Sequence, residues 1–207
     1  KVIEFSEWGI AYAALSKGDI QVLASQTDYA AADKKKKNKN KIEKLSPVSF
    51  GLYQGMAVPS YVDIDSIEQL NANADKLGNR IIGIEPGSGL MSDANNVVKA
   101  YDIKLKLVEG STSAMTAALK SAVDRKEWVA VTVWDPSWMT KKFDLKFLKD
   151  PKGVFPPLQG YYWIGHKGFA EANPRARELM AGVYVPITDI TAMNAEVKDG
   201  KTMDEAI

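Results

Sequence analysis

The chain has 207 residues, 45% of them hydrophobic, enough for one large domain or two small lobes with a filled core. Twenty-seven Lys and Arg against 26 Asp and Glu leave a net charge of +1, so no broad field invites nucleic acid or another polyanion. Cysteine is absent and His166 is the single histidine, which removes disulfides, thiolate chemistry and multi-histidine metal sites and routes any Ser-His machinery through one residue.

No apolar run reaches the roughly 18 to 20 residues of a membrane span. Lys1 to Phe5 lacks the charged and apolar regions of a signal peptide, so a secreted protein is expected here in processed form. Along the chain, Ala11, Ala14 and Leu15 indicate a short helix and Ile20 to Ala24 a strand. Lys34 to Asn40 reads as a solvated helix face or loop. Its run of four lysines has no interleaved aromatic residues, which argues against a nucleic-acid patch.

The clearest organisation lies from Ile81 to Trp134. Ile81 to Ile84 is a buried strand ending in the turn Glu85-Pro86-Gly87-Ser88-Gly89. Ala94, Val97, Val98 and Tyr101 follow at i, i+3, i+4 and i+7, one face of a helix. Ile103, Leu105 and Leu107 alternate with lysines as in a half-exposed strand, and Ser111 or Ser113 caps a helix carrying Met115, Ala118, Leu119 and Ala122. Val129 to Val133 is a further buried strand. This β-α-β-α-β order requires a mostly parallel sheet, which binds ligands at the carboxyl ends of its strands. Beyond it, a helix starts at Pro174 and continues through Glu178, Leu179 and Met180.

Two of those strand ends carry candidate chemistry. Trp134 closes one strand, and Asp135-Pro136 turns the chain there, so Trp134 is the expected ligand contact and Trp138 its support. A quaternary ammonium has a fixed charge and no N–H donors, so aromatic faces hold it at roughly 0.5 to 2 kcal/mol each. The competing role for these rings is core packing. Gly87-Ser88-Gly89 precedes a helix whose free amides attract an anion such as a carboxylate; the turn lacks the third glycine of a dinucleotide fingerprint and the Walker lysine. A plain tight turn is the alternative.

Several segments together resemble the glycine betaine/proline betaine substrate-binding proteins of ABC transporters. In order they are Ala13 to Asp19, Val58 to Tyr61, Ile82 to Gly89, Val108 to Ser111, Val131 to Trp138, Asp144 to Lys152 and Asp189 to Asn194. The resemblance implies an α/β, type II periplasmic binding protein fold, with two α/β lobes joined by a hinge and an aromatic cage between them. Lobe I would comprise 1–58 plus 156–207, without the first strand and helix that the family carries, and lobe II 59–155. A final helix would follow Ile207. In the family, the turn matching Ser88, Gly89 and Leu90 presents backbone amides to the ligand carboxylate, and Trp134 matches a cage wall.

The departures are specific. Members usually carry a Trp-x-Pro segment and a histidine after the strand matching Ile20 to Ala24, where this chain has Ser25-Gln26-Thr27-Asp28-Tyr29. Some place a tryptophan where Ser88 stands, and others one near the carboxyl end, where Tyr184 is the nearest ring. Trp8 and Trp163 are the replacements this sequence offers. The implied function is capture of a small quaternary-ammonium osmolyte such as glycine betaine, without catalysis, cofactor or metal. Trimethylamine N-oxide, choline, carnitine or dimethylsulfoniopropionate are alternative ligands. The implied partner is an ABC transporter permease, the state a monomer, and the location periplasmic or, in a Gram-positive organism, extracellular and membrane-anchored. The contrasting class is an α/β enzyme that uses the Gly87-Ser88-Gly89 turn for a phosphorylated ligand.

Overall fold

The computed structural model describes residues 2, 3, 5, 8–25 and 36–207, at residue 8 the backbone alone. In chain order the elements are α1 (Trp8–Lys17), β1 (Val22–Ser25), β2 (Ile42–Pro59), β3 (Arg80–Ile82), α2 (Gly89–Ala100), β4 (Lys106–Val108), α3 (Thr112–Asp124) and β5 (Val131–Asp135). They continue with α4 (Trp138–Lys142), β6 (Leu145–Phe147), β7 (Gln159–His166), α5 (Phe169–Ala172), α6 (Pro174–Ala181), α7 (Ile187–Lys198) and α8 (Met203–Ala206). Among the described residues, no helix is long and apolar enough to cross a membrane.

The chain divides into two compact units. The first comprises Lys1–Leu52 and Leu158–Ile187, the second Tyr53–Pro157 and Thr188–Ile207. The sequence expectation places residues 188–207 with the flanks and cuts the chain at 58/59. The structure instead groups 188–207 with the central segment, and side-chain contacts explain the difference. Lys142 Nζ lies 2.7 Å from Asp199 Oδ1, and Lys198 Nζ sits 5.0 Å from the centre of the Trp138 ring. The cut falls inside β2, whose first half belongs to one unit and whose second half belongs to the other.

In the first unit, β7 pairs antiparallel with β1 and with the first half of β2. Pro47 has no N–H to give to a ladder, and the pairing shifts register on either side of it. Tyr12 and Leu15 of α1 bury against Ile42 and Ile164 as a small cluster. His166 closes β7 with Nδ1 2.8 Å from the Leu15 carbonyl oxygen, so the single histidine ties this sheet to α1.

In the second unit, β3 pairs parallel with β4 and with β5, as the β-α-β-α-β pattern requires. The second half of β2 pairs antiparallel with both β5 and β6, so the sheet is mixed. Met56, Ala57 and Val58 are fully buried in the middle of this sheet, and a large apolar cluster surrounds them, including Ile81, Met91, Val97, Met115 and Leu119. The alternation from Ile103 to Leu107 persists in burial, but only Lys106–Val108 pairs as a strand. Gly83 lets α2 come down onto the sheet, since a Cβ there would stand 2.5 Å from Met91 Sδ.

Candidate functional site

The carboxyl ends of β3, β4 and β5 each run into a serine-capped helix. Ser88 accepts from the Met91 amide at α2, Ser111 from the Ala114 amide at α3, and Ser137 from the Met139 amide at α4. Of the two serines the sequence offers as cap for α3, Ser111 is the one used.

These helix starts differ in what already occupies them. Glu85 accepts from the Thr112 amide and the Thr112 hydroxyl, both at 2.7 Å, so an internal carboxylate fills the start of α3. Those two hydrogen bonds hold the Glu85 carboxyl below its ordinary value. At α2 no such group intervenes. Among the described residues the amides of Gly89 and Leu90 have no acceptor, while the Leu90 side chain is buried in the core. Gly87 enters this turn at φ +82°, in the left-handed region where a side chain is strained.

Trp134 lies on the face of the sheet that α2 covers. Thr132, two residues earlier on β5, places its hydroxyl 3.8 Å from Met91 Sδ of α2, and side chains two apart on a strand share a face. Trp134 is half-buried against the core of the second unit. Its Cα partner across the ladder is Gln54, and facing residues in an antiparallel pair project to the same side. Gln54 in turn donates from Nε2 to Asp93 Oδ2 of α2 at 2.5 Å. Burial raises the Asp93 carboxyl above its ordinary value, against a lowering by the Gln54 hydrogen bond. The α2 turn, Trp134, Gln54 and Asp93 therefore meet at one corner of one unit.

Trp138 has a different environment. It opens α4, its ring centre lies 5.8 Å from that of Phe143, and Lys142 and Lys198 approach the same ring. With Lys141, Ala192, Ala195 and Glu196 it lines an open groove of about 210 Å³. Trp163 sits in β7 opposite Ala24, half-buried, with Nε1 buried and without a partner among the described residues. It lines an open groove of about 630 Å³ in the first unit with Ile3, Phe5 and the edge of β1. Trp8 begins α1, and its side chain lies outside the described residues, as do Gln26 to Tyr29.

Gln54 and Asp93 are the members of this corner that sequence reasoning misses. Asp93 carries one local signal, its position four residues after Gly89, which puts both on one face of α2. Gln54 carries none, because β2 is buried through Met56 to Pro59 and shows no alternation there to announce which way its side chains face.

Two curated relatives are named as betaine-binding proteins. The glycine betaine/carnitine transport binding protein GbuC of Listeria monocytogenes serotype 1/2a (strain 10403S) is 36% identical over 135 residues, 64% of this chain and 45% of that protein. The glycine betaine/proline betaine-binding periplasmic protein of Escherichia coli (strain K12) is 26% identical over 147 residues, 60% of this chain and 44% of that protein. The chain thus spans under half the length of these curated relatives. Lactococcal OpuAC, solved closed with glycine betaine, superposes with a TM-score of 0.82 at 32% identity, covering 97% of this chain and 79% of that one. The fold is that of the periplasmic binding proteins, as the resemblance implies. A model of the substrate-binding domain of ABC-type glycine betaine transport systems matches residues 1–207, and the chain belongs to that family.

Proposed function

We propose that this chain is the ligand-capturing part of an ABC importer, without catalytic activity, and that it takes a small quaternary-ammonium osmolyte such as glycine betaine. One observation carries this reading: the second unit holds the half-buried Trp134 and the uncommitted start of α2 on one side of one sheet corner. Trp134 is suited to a desolvated cation, for which each ring contributes roughly 0.5 to 2 kcal/mol. The Gly89 and Leu90 amides are suited to a carboxylate, which gains from free donors and from the positive end of the helix. A betaine presents both groups a few bonds apart.

Several rings are needed to hold a quaternary ammonium, and Trp8 and Trp163 are the candidates to complete the cage. Choline, carnitine, trimethylamine N-oxide and dimethylsulfoniopropionate share the cationic half of the ligand and are the alternatives. The partner is the permease of the transporter. The domain acts as a monomer outside the cytoplasmic membrane, in the periplasm or anchored at the cell surface. Isothermal titration with these five ligands tests the reading. Heat of binding is expected with glycine betaine or one of its analogues, and its absence with all five sinks the assignment.

A further inference from the structure

The corner that carries Trp134 also contains a carboxylate with spare capacity. Asp93 Oδ2 accepts from Gln54, whereas Oδ1 has no partner among the described residues. Asp93 stands one helical turn after Gly89, so its side chain and the Gly89 amide share a face of α2. Gln54 anchors that carboxylate directly across the ladder from Trp134, on the same side of the sheet, where facing side chains start about 5 Å apart. A cation held on Trp134 and an acceptor on Asp93 thus lie within the span of one small molecule.

We propose that Asp93 is a specificity-determining residue that accepts a hydrogen bond from a hydroxyl of the ligand, favouring quaternary-ammonium alcohols such as choline and carnitine over glycine betaine. The proposal rests on the binding function above and names the ligand class of the same corner. Glycine betaine has no donor to offer Oδ1. A hydroxyl supplies that donor to a carboxylate acceptor in a partly desolvated place, where such bonds are the strong ones. The folded-state value of Asp93 is raised, so the fold is favoured by its protonated form and loses that advantage as pH rises through the folded value.

Titration calorimetry of wild type, Asp93→Asn and Asp93→Ala with choline, carnitine and glycine betaine tests this. Asparagine keeps an acceptor for Gln54, so Asp93→Asn is expected to melt no lower than wild type at neutral pH. In Asp93→Ala, choline and carnitine should each weaken about tenfold while glycine betaine stays within about twofold, with Asp93→Asn between. Equal loss for all three ligands makes Asp93 a tether of α2 to β2 and overturns the proposal, as does no loss for any. If wild type binds no quaternary ligand, the binding function falls and this inference with it. Normal wild-type binding with an indifferent Asp93 removes this inference alone.

Discussion

The second unit surrounds its strands with a large buried cluster and holds the first amides of α2 without a described acceptor, whereas among the described residues the first unit packs Tyr12, Leu15, Ile42 and Ile164 as a small cluster. Helices α2 and α3 sharpen the contrast inside the second unit. Both begin with a serine cap after a parallel strand, yet Glu85 fills the start of α3 and nothing described fills that of α2. A large core lets a fold keep an unsatisfied helix end in place. The open end is then available to something that is not protein.

The largest effect tests the difference in cores. Leu119, on α3, is fully buried, and Leu119→Ala should cost about 2 to 5 kcal/mol in urea unfolding. Leu15→Ala, equally buried in the smaller cluster, is expected at the lower end of that range, because fewer of the described residues enclose the cavity. Equal costs break the comparison. Next comes Trp134→Ala, expected to weaken a quaternary-ammonium ligand about thirtyfold, the loss of a ring contact worth about 2 kcal/mol, with a drop of a few degrees in Tm from its partial packing. Unaltered affinity would remove Trp134 from the site.

Smaller still, Trp163→Ala should weaken the same ligand only about threefold, and unaltered affinity would remove Trp163 from the proposed site. The smallest effect separates the two helix starts. Glu85→Gln, at an exposed position, is expected to cost less than about 1 kcal/mol after solvent screening. The sign of its pH dependence follows from the lowered folded value. The Glu85 contribution is present above its unfolded value of 4.5 and is lost as pH falls through the folded one. A wild-type and Glu85→Gln pair of acid melts checks this, and parallel curves would show that the clamp contributes nothing.

Much of the second unit is legible because its signals are short-range. The turn after Ile84, the 3.6-residue period from Ala94 to Tyr101 and the serine three residues before Ala114 are each complete within a few positions. Trp134 is found the same way, as the ring just before a turn at the end of an apolar strand. The strands β2, β6 and β7 are less legible. Their pairing depends on partners tens of residues away, and β2 is buried too continuously at its second half to show a period.

The sequence by itself determined the parallel strand and helix order, the capped helix starts and the ring at the strand end, because backbone hydrogen bonding and side-chain periodicity encode these within one or two turns of chain. Only the tertiary structure decided which helix start stays open, since Glu85 reaches Thr112 across 27 positions, and that Gln54 holds Asp93 across 39. It also decided that residues 188–207 join the central segment. Such pairings depend on which side chains the folded sheet brings face to face, and no local pattern records them.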